Sequence, residues 1–144
     1  MTGAPVGLRV AVLADDLIWS SRLSGLLREI GDRPVTLRSL ESLAEALADE
    51  TRSGEPIAAV IVDLTARAYD GIAAVALAAG AGRPVLAAVQ HDDHALLRRA
   101  RDAGARPVVA YRRLAEHGTS VVATWLADVR DAQAPIPSRA GTTR

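Results

Sequence analysis

Three aspartates that directly follow apolar segments are the side chains of this sequence best suited to chemistry. Asp15 and Asp16 follow the apolar run Leu8–Ala14, and Asp63 follows the apolar run Ile57–Val62. Carboxylates brought close together repel one another unless protons or a cation compensate their charge. A hard divalent ion such as Mg²⁺ prefers oxygen ligands of this kind. If the two runs are neighbouring strands, the three aspartates predict a shallow metal pocket.

Short apolar runs alternate along the chain with segments of helical spacing, which predicts five strand–helix units. The predicted strands are Leu8–Ala14, Pro34–Arg38, Ile57–Val62, Pro84–Val89 and Val108–Tyr111. Strands that are apolar along their whole length indicate a parallel sheet covered by helices on both faces. The expected fold is therefore α/β: a single domain with a flavodoxin-like, doubly wound, five-stranded parallel sheet, (βα)5.

The three aspartates could instead have a simpler role as helix caps, as polar residues at predicted helix starts often do. Ser39 or Ser42 is the expected cap of the second helix, and Asp92 or Asp93 that of the fourth. Capping or solvation in a loop would equally explain any single aspartate after a strand. The trio together favours the metal pocket, because doubly wound sheets place their sites beyond the carboxyl ends of the strands.

The folded domain is expected to span residues 8–131, after an N-terminal extension at residues 1–7. Residues 132–144 are rich in turn-forming types and are expected to be disordered. The chain has no cysteine and does not begin with a signal-peptide pattern. Glycines, an arginine and a proline interrupt its longest apolar stretch, so no membrane span is expected. These features predict a cytoplasmic protein.

The charge balance argues against polyanionic partners. The 17 basic residues equal the 17 acidic ones in number, and every basic residue is arginine. A neutral chain has no overall attraction for nucleic acid or anionic lipid, so neither is an expected partner. Preference for arginine is typical of a GC-rich genome, but that bias does not explain the loss of a lysine that chemistry required.

Five fragments, in this order and spacing, resemble the receiver domain of bacterial two-component response regulators, the CheY-like family. They are Val12-Leu-Ala-Asp15-Asp16, Val60-Ile-Val-Asp63-Leu, Asp70-Gly71, Pro84-Val-Leu-Ala-Ala-Val89 and Ala103-Gly104-Ala105. The resemblance covers nearly the whole chain. It implies that Asp63 accepts a phosphoryl group from a histidine kinase. It also implies that Asp16, Asp63 and the main-chain carbonyl of Thr65 hold Mg²⁺, with Asp15 acting through a metal-bound water.

Several positions depart from the pattern of the receiver family. Val89 stands where a Thr or Ser hydroxyl follows the phosphate, and Val108 stands at the aromatic switch position. Tyr111 and Arg112 replace the lysine at the end of strand five and the cis proline after it. Arg112 or Arg113 could reach inward to substitute for the lysine, although a planar guanidinium is not equivalent to a compact ammonium.

These departures predict a pseudo-receiver: a stand-alone, degenerate receiver-like domain of a two-component or phosphorelay system, and not an enzyme. It would act through protein contacts, with a histidine kinase, another signalling protein or a second copy at the face of helix four, strand five and helix five. One alternative is a functional single-domain response regulator phosphorylated at Asp63. Another is a flavodoxin-like small-ligand binder, disfavoured because no glycine-rich loop follows strand one.

One tryptophan and two histidines lie near the predicted pocket, and each could have either a site role or a structural one. Trp19 lies three positions beyond Asp16, where it would either cover the pocket or join the core. His91 and His94 flank the start of the fourth helix, where they would either assist a metal or simply be solvated.

Overall fold

The computed structural model describes residues 7–49, 55–90 and 93–133, and its strands and helices alternate throughout. The elements are β1 (Arg9–Leu13), α1 (Leu17–Glu29), β2 (Arg33–Leu37), α2 (Leu40–Ala48), β3 (Ala59–Asp63), α3 (Gly71–Gly80), β4 (Val85–Val89), α4 (His94–Ala103), β5 (Val108–Ala110) and α5 (Tyr111–Gln133). The five strands form one parallel sheet in the order β2-β1-β3-β4-β5. The predicted flavodoxin-like (βα)5 fold is confirmed.

The sheet owes its position inside the molecule to strands that are apolar on both faces. Every residue of β3 and β4 is buried, whereas the edge strand β2 is partly exposed. Because side chains alternate along a strand, successive residues of β1 enter different cores. Val10 and Val12 pack with α1 and α5, whereas Ala11 and Leu13 pack with the helices on the other face.

Side-chain caps begin the first four helices, including α2 and α4, for which the sequence predicted them. Asp16, Asp70 and Asp93 each accept hydrogen bonds from backbone N–H groups in the first turn of the helix that follows. Ser39 and Ser42 form a reciprocal capping box at α2. The predicted alternative cap of α4, Asp92, lies outside the described residues together with His91.

The last helix differs from the prediction at its beginning. Tyr111 was predicted as the end of strand five, but it is the first residue of α5, and β5 stops at Ala110. The segment after Tyr111 is rich in good helix formers, so it continues as helix directly from the short strand. A kink with non-helical φ and ψ at His117 separates this first part from the rest of α5.

The described structure and the predicted domain end at slightly different residues. Helix α5 runs to Gln133, two residues beyond the predicted end of the domain at Asp131. The predicted N-terminal extension, apart from Gly7, and residues 134–144 lie outside the described residues.

A cis peptide bond joins Arg106 to Pro107 just before β5, and not at the position of Arg112. None of the described helices has both the length and the apolar character needed to cross a membrane.

Candidate functional site

Asp63 occupies the centre of the carboxyl edge of the sheet. It is the last residue of β3 and is 2% exposed. One of its carboxylate oxygens, Oδ1, accepts two hydrogen bonds from Thr65, at 2.9 Å from the N–H and 2.7 Å from the hydroxyl. Thr65 therefore holds Asp63 through its backbone N–H and its side chain, in a tight turn that leaves the strand.

Asp15 joins two loops at this edge. Its Oδ2 accepts hydrogen bonds from the N–H groups of Arg67 and Ala68, at 2.8 and 3.0 Å. Its carbonyl oxygen accepts a hydrogen bond from the Arg38 guanidinium at 3.1 Å. The turn between β1 and α1 is thus fixed to the loop between β3 and α3.

Asp16 is exposed and serves as the N-cap of α1. Its Oδ1 accepts hydrogen bonds from the N–H groups of Ile18 and Trp19, at 2.8 and 3.2 Å. These N–H groups belong to the first turn of the helix and would otherwise lack a partner within it. The capping role that the sequence left open for this aspartate is confirmed.

The metal pocket predicted from the three aspartates has no direct support in this arrangement. Each carboxylate accepts hydrogen bonds of its own, from a different segment. Within residues 7–49, 55–90 and 93–133, no group of three or more His, Cys, Asp or Glu side chains is placed to hold a metal ion. The Mg²⁺ site implied by the resemblance therefore stays a prediction.

Tyr111 stands at the position where the resemblance implies a lysine, and its phenol lies near Asp63. The residue is 3% exposed. Burial raises the pKa of its phenol above the usual range, and the negative charge of Asp63 raises it further. The Asp63 carboxylate also lies within hydrogen-bonding reach of the hydroxyl, although the two groups do not meet strict hydrogen-bond geometry. The group beside Asp63 is therefore a neutral phenol.

Trp19 lies against the ring of Tyr111 on the outer side. The two ring centroids are 3.8 Å apart and the rings are tilted by 35°. The guanidinium carbon of Arg22 lies 5.1 Å from the Trp19 ring centroid, which is within cation–π range. Trp19 also packs against the core cluster between the sheet, α1 and α5. Both interpretations of this tryptophan therefore hold, since it touches the core and the site together.

A second tyrosine at the site, Tyr69, was not found by sequence reasoning. Its hydroxyl lies 2.8 Å from the carbonyl oxygens of both Leu13 and Asp63, so it bridges the ends of β1 and β3. Burial raises the pKa of this phenol, and the charges of Asp63 and Asp15 raise it further. The available signal was an aromatic residue within an otherwise polar loop, six positions after Asp63.

The other departures from the receiver pattern supply no charge to Asp63. Val89 ends β4, is 2% exposed and has no hydrogen-bond donor in its side chain, and Val108 is half-buried at the start of β5. The Arg112 side chain is 88% exposed and pairs with Glu116 at 3.3 Å. Arg113 is exposed as well. In this arrangement neither guanidinium substitutes for the missing lysine.

An open groove of about 840 Å³ lies between α4, β5 and α5. Its floor and walls are largely apolar, and arginines from three segments stand around it. The apolar lining includes Pro84, Val89, Leu97, Pro107, Val108, Val121, Trp125 and Val129. The arginines are Arg101, Arg106 and Arg113. The groove coincides with the face that the resemblance implies for protein partners.

Sequence comparison finds no matching family model and no matching curated protein. Solved structures do match. The signal receiver domain of an HD domain-containing protein from Pseudomonas fluorescens Pf-5 has 12% identity and a TM-score of 0.76 over 94% of this chain and 98% of its own. The BeF3-activated DrrB receiver domain has 19% identity and a TM-score of 0.68, over 84% and 98%.

A further match carries ligands in its crystal structure. It is a response regulator protein from Burkholderia pseudomallei with a phosphorylated aspartic acid, a calcium ion and citrate. Its identity is 19% and its TM-score 0.67, over 88% of this chain and 71% of its own. At identities this low the likeness concerns the fold. This chain has the fold of response-regulator receiver domains.

Proposed function

We propose that this chain is a receiver-fold signalling module that acts through protein contacts and does not carry a stable phosphoryl group on Asp63. One observation carries the proposal: the phenol of Tyr111, and not an ammonium group, lies beside the Asp63 carboxylate. The module is not an enzyme in this proposal, since its output is a contact with another protein.

Charge is the first reason why phosphoryl transfer to Asp63 is disfavoured. A transferring phosphoryl group carries negative charge that positioned donors and cations must stabilise. Removing one donor that stabilises a developing oxyanion typically costs about 2.7–4 kcal/mol of transition-state stabilisation. Burial and the nearby carboxylate keep the Tyr111 phenol neutral, because both raise its pKa. Val89 adds no hydroxyl that could compensate.

Access is the second reason. Asp63 is 2% exposed, and one of its oxygens already accepts two hydrogen bonds from Thr65. In-line transfer requires the attacking oxygen and the leaving oxygen to lie on opposite sides of the phosphorus. A donor could reach that geometry only if side chains around Asp63 moved away.

The groove between α4, β5 and α5 is the surface proposed for the partner. Its apolar floor includes the half-buried Val108 and Leu97, and arginines surround it. Apolar cores with polar edges are the usual composition of protein interfaces, and arginine is enriched in them. A histidine kinase or another signalling protein fits this surface, as does a second copy of the chain.

Treatment with a small phosphoryl donor tests the proposal. The protein is incubated with Mg²⁺ and acetyl phosphate, or with beryllofluoride, and its intact mass and tryptophan fluorescence are followed. Asp63→Asn is the control, and Mg²⁺ alone is a separate arm that tests metal binding. We expect no adduct on the wild type. A stoichiometric adduct that Asp63→Asn abolishes would instead make the chain a functional response regulator phosphorylated at Asp63.

A further inference from the structure

We propose that Trp19 and Tyr111 form an aromatic cover over Asp63, and that this cover determines whether the carboxylate can react with any reagent from solution. The inference rests on the proposed function, because it concerns the same site. It differs in what it attributes to Tyr111, namely steric exclusion by the ring in addition to the absence of a positive charge.

Burial and ring contact define the cover. Asp63 is 2% exposed and Tyr111 is 3% exposed, although both lie at the edge of the sheet where strands end. The Trp19 ring lies on Tyr111, with centroids 3.8 Å apart, and is itself only partly exposed. Arg22 lies over Trp19. The order from Asp63 outward is therefore Tyr111, Trp19 and Arg22.

The two aromatic residues are held to different degrees. Tyr111 follows β5 without an intervening loop and belongs to the buried cluster around Leu114 and Val122. Trp19 lies in the first turn of α1, where only its inner side packs against that cluster. Tyr111 is thus the fixed inner part of the cover, and Trp19 is the outer part that positions its ring.

The Tyr111 hydroxyl separates a covering role from a hydrogen-bonding role. It is buried and lies within reach of the Asp63 carboxylate, but it meets strict hydrogen-bond geometry with none of the described residues. Because that contact is outside good hydrogen-bond geometry, removing the hydroxyl should cost the fold little stability. Tyr111→Phe therefore keeps the ring over Asp63, whereas Tyr111→Ala removes the ring and Trp19→Ala removes its support.

Carboxyl footprinting measures the cover without any phosphoryl chemistry. A carbodiimide activates accessible carboxylates, and glycine ethyl ester then forms an amide with release of the urea. Labelling of Asp63 is followed by peptide mass spectrometry, relative to the exposed Asp102. We expect slow labelling of Asp63 in the wild type and in Tyr111→Phe. In Tyr111→Ala its labelling should rise by about tenfold or more, because closed sites react only through opening.

Two further variants keep the test decisive. Trp19→Ala should raise Asp63 labelling to an intermediate level, and it substitutes for Tyr111→Ala if that variant does not fold. Trp125→Ala truncates another buried aromatic of the same cluster, farther along α5, and should leave Asp63 as protected as in the wild type. That control separates loss of the cover from general loosening of the core.

Three results would overturn the cover: wild-type Asp63 labelled as fast as Asp102, no increase in folded Tyr111→Ala or Trp19→Ala, or an equal increase in Trp125→Ala. Fast labelling of wild-type Asp63 would remove the access argument for the proposed function but leave its charge argument, and the proposed function itself fails only if the wild type forms an adduct with acetyl phosphate. The two failures are therefore distinguishable.

Discussion

The Asp15 carboxylate accepts a hydrogen bond at 2.8 Å from the N–H of Arg67, a residue 52 positions farther along the chain. A second bond, from Ala68, reaches the same oxygen. The bonds connect the turn after β1 to the loop after β3, the two segments that border Asp63. Asp15 therefore stabilises the shape of the site, whatever else it does there.

Asp15→Ala should lower the free energy of unfolding by about 1–3 kcal/mol, because two backbone N–H groups lose a charged acceptor. Asp15→Asn should cost less, since its amide oxygen can still accept. Urea unfolding followed by circular dichroism measures both. Asp102→Ala, an exposed substitution on α4, should change stability by less than about 0.5 kcal/mol. Equal stability of the Asp15→Ala variant and the wild type would contradict the assigned role.

Asp16 should behave as a helix cap in mutagenesis. Replacing it with Ala should cost about 1 kcal/mol, whereas Ser should be nearly neutral, because a serine hydroxyl can accept the same N–H groups. Thermal unfolding with and without Mg²⁺ distinguishes the cap from a metal ligand. A Mg²⁺-dependent rise in the midpoint of the wild type that is lost in both variants would show a ligand role that the present geometry lacks.

Alkaline pH should destabilise the fold through its tyrosines. The chain has no lysine or cysteine, and both tyrosines, Tyr69 and Tyr111, are buried. Burial and nearby carboxylates raise the pKa of each phenol in the native state. Above about pH 10 the unfolded chain loses phenolic protons that the native state keeps, so the unfolded state binds fewer protons and stability falls as pH rises.

The slope of this loss should reach about 1.4 kcal/mol per pH unit for each tyrosine, with little phenolic contribution below about pH 9. Urea unfolding at a series of alkaline pH values measures it. Tyr111→Phe and Tyr69→Phe should each halve the slope. An undiminished slope in both variants would mean that the buried phenols are not its source.

Gly104 should tolerate no side chain. Its φ of +122° is unfavourable for residues with a Cβ, and a Cβ there would lie 2.5 Å from the Cβ of Ala79. Gly104→Ala should therefore cost more than about 1 kcal/mol in urea unfolding. Gly80→Ala is the matched control at the end of α3, where no atom lies within 4 Å of the added Cβ. We expect that variant to be as stable as the wild type or more stable.

Periodicity and capping patterns were sufficient to predict the architecture, because each depends on neighbours close in sequence. The runs that became β3 and β4 are apolar throughout, and Ser39 and Asp93 cap α2 and α4 as predicted. The early start of α5 was missed because the sequence around Tyr111 is equally compatible with the end of a strand. Tyr111 is helical because the pairing of β5 with β4 already ends at Ala110.

The geometry of the site was less predictable than its location. The predicted strand order was enough to place Asp15 and Asp63 at one edge of the sheet. It did not indicate which groups would donate hydrogen bonds to each carboxylate. Those donors include backbone N–H groups of a loop, whose direction depends on tertiary packing. Tyr69 belongs to the same loop, and no periodic pattern indicates that its hydroxyl bridges β1 and β3.

The direct passage from β5 into α5 has a mechanical consequence. Because no loop separates Ala110 from Tyr111, strand and helix have no slack between them. The groove proposed for a partner lies along α5, and the ring over Asp63 lies at the beginning of the same helix. The groove-lining residues of this helix lie on both sides of the kink at His117, with Arg113 before it and Trp125 after it. The groove and the ring over Asp63 are therefore built on one continuous strand–helix unit, so a change in the position of that unit would alter both.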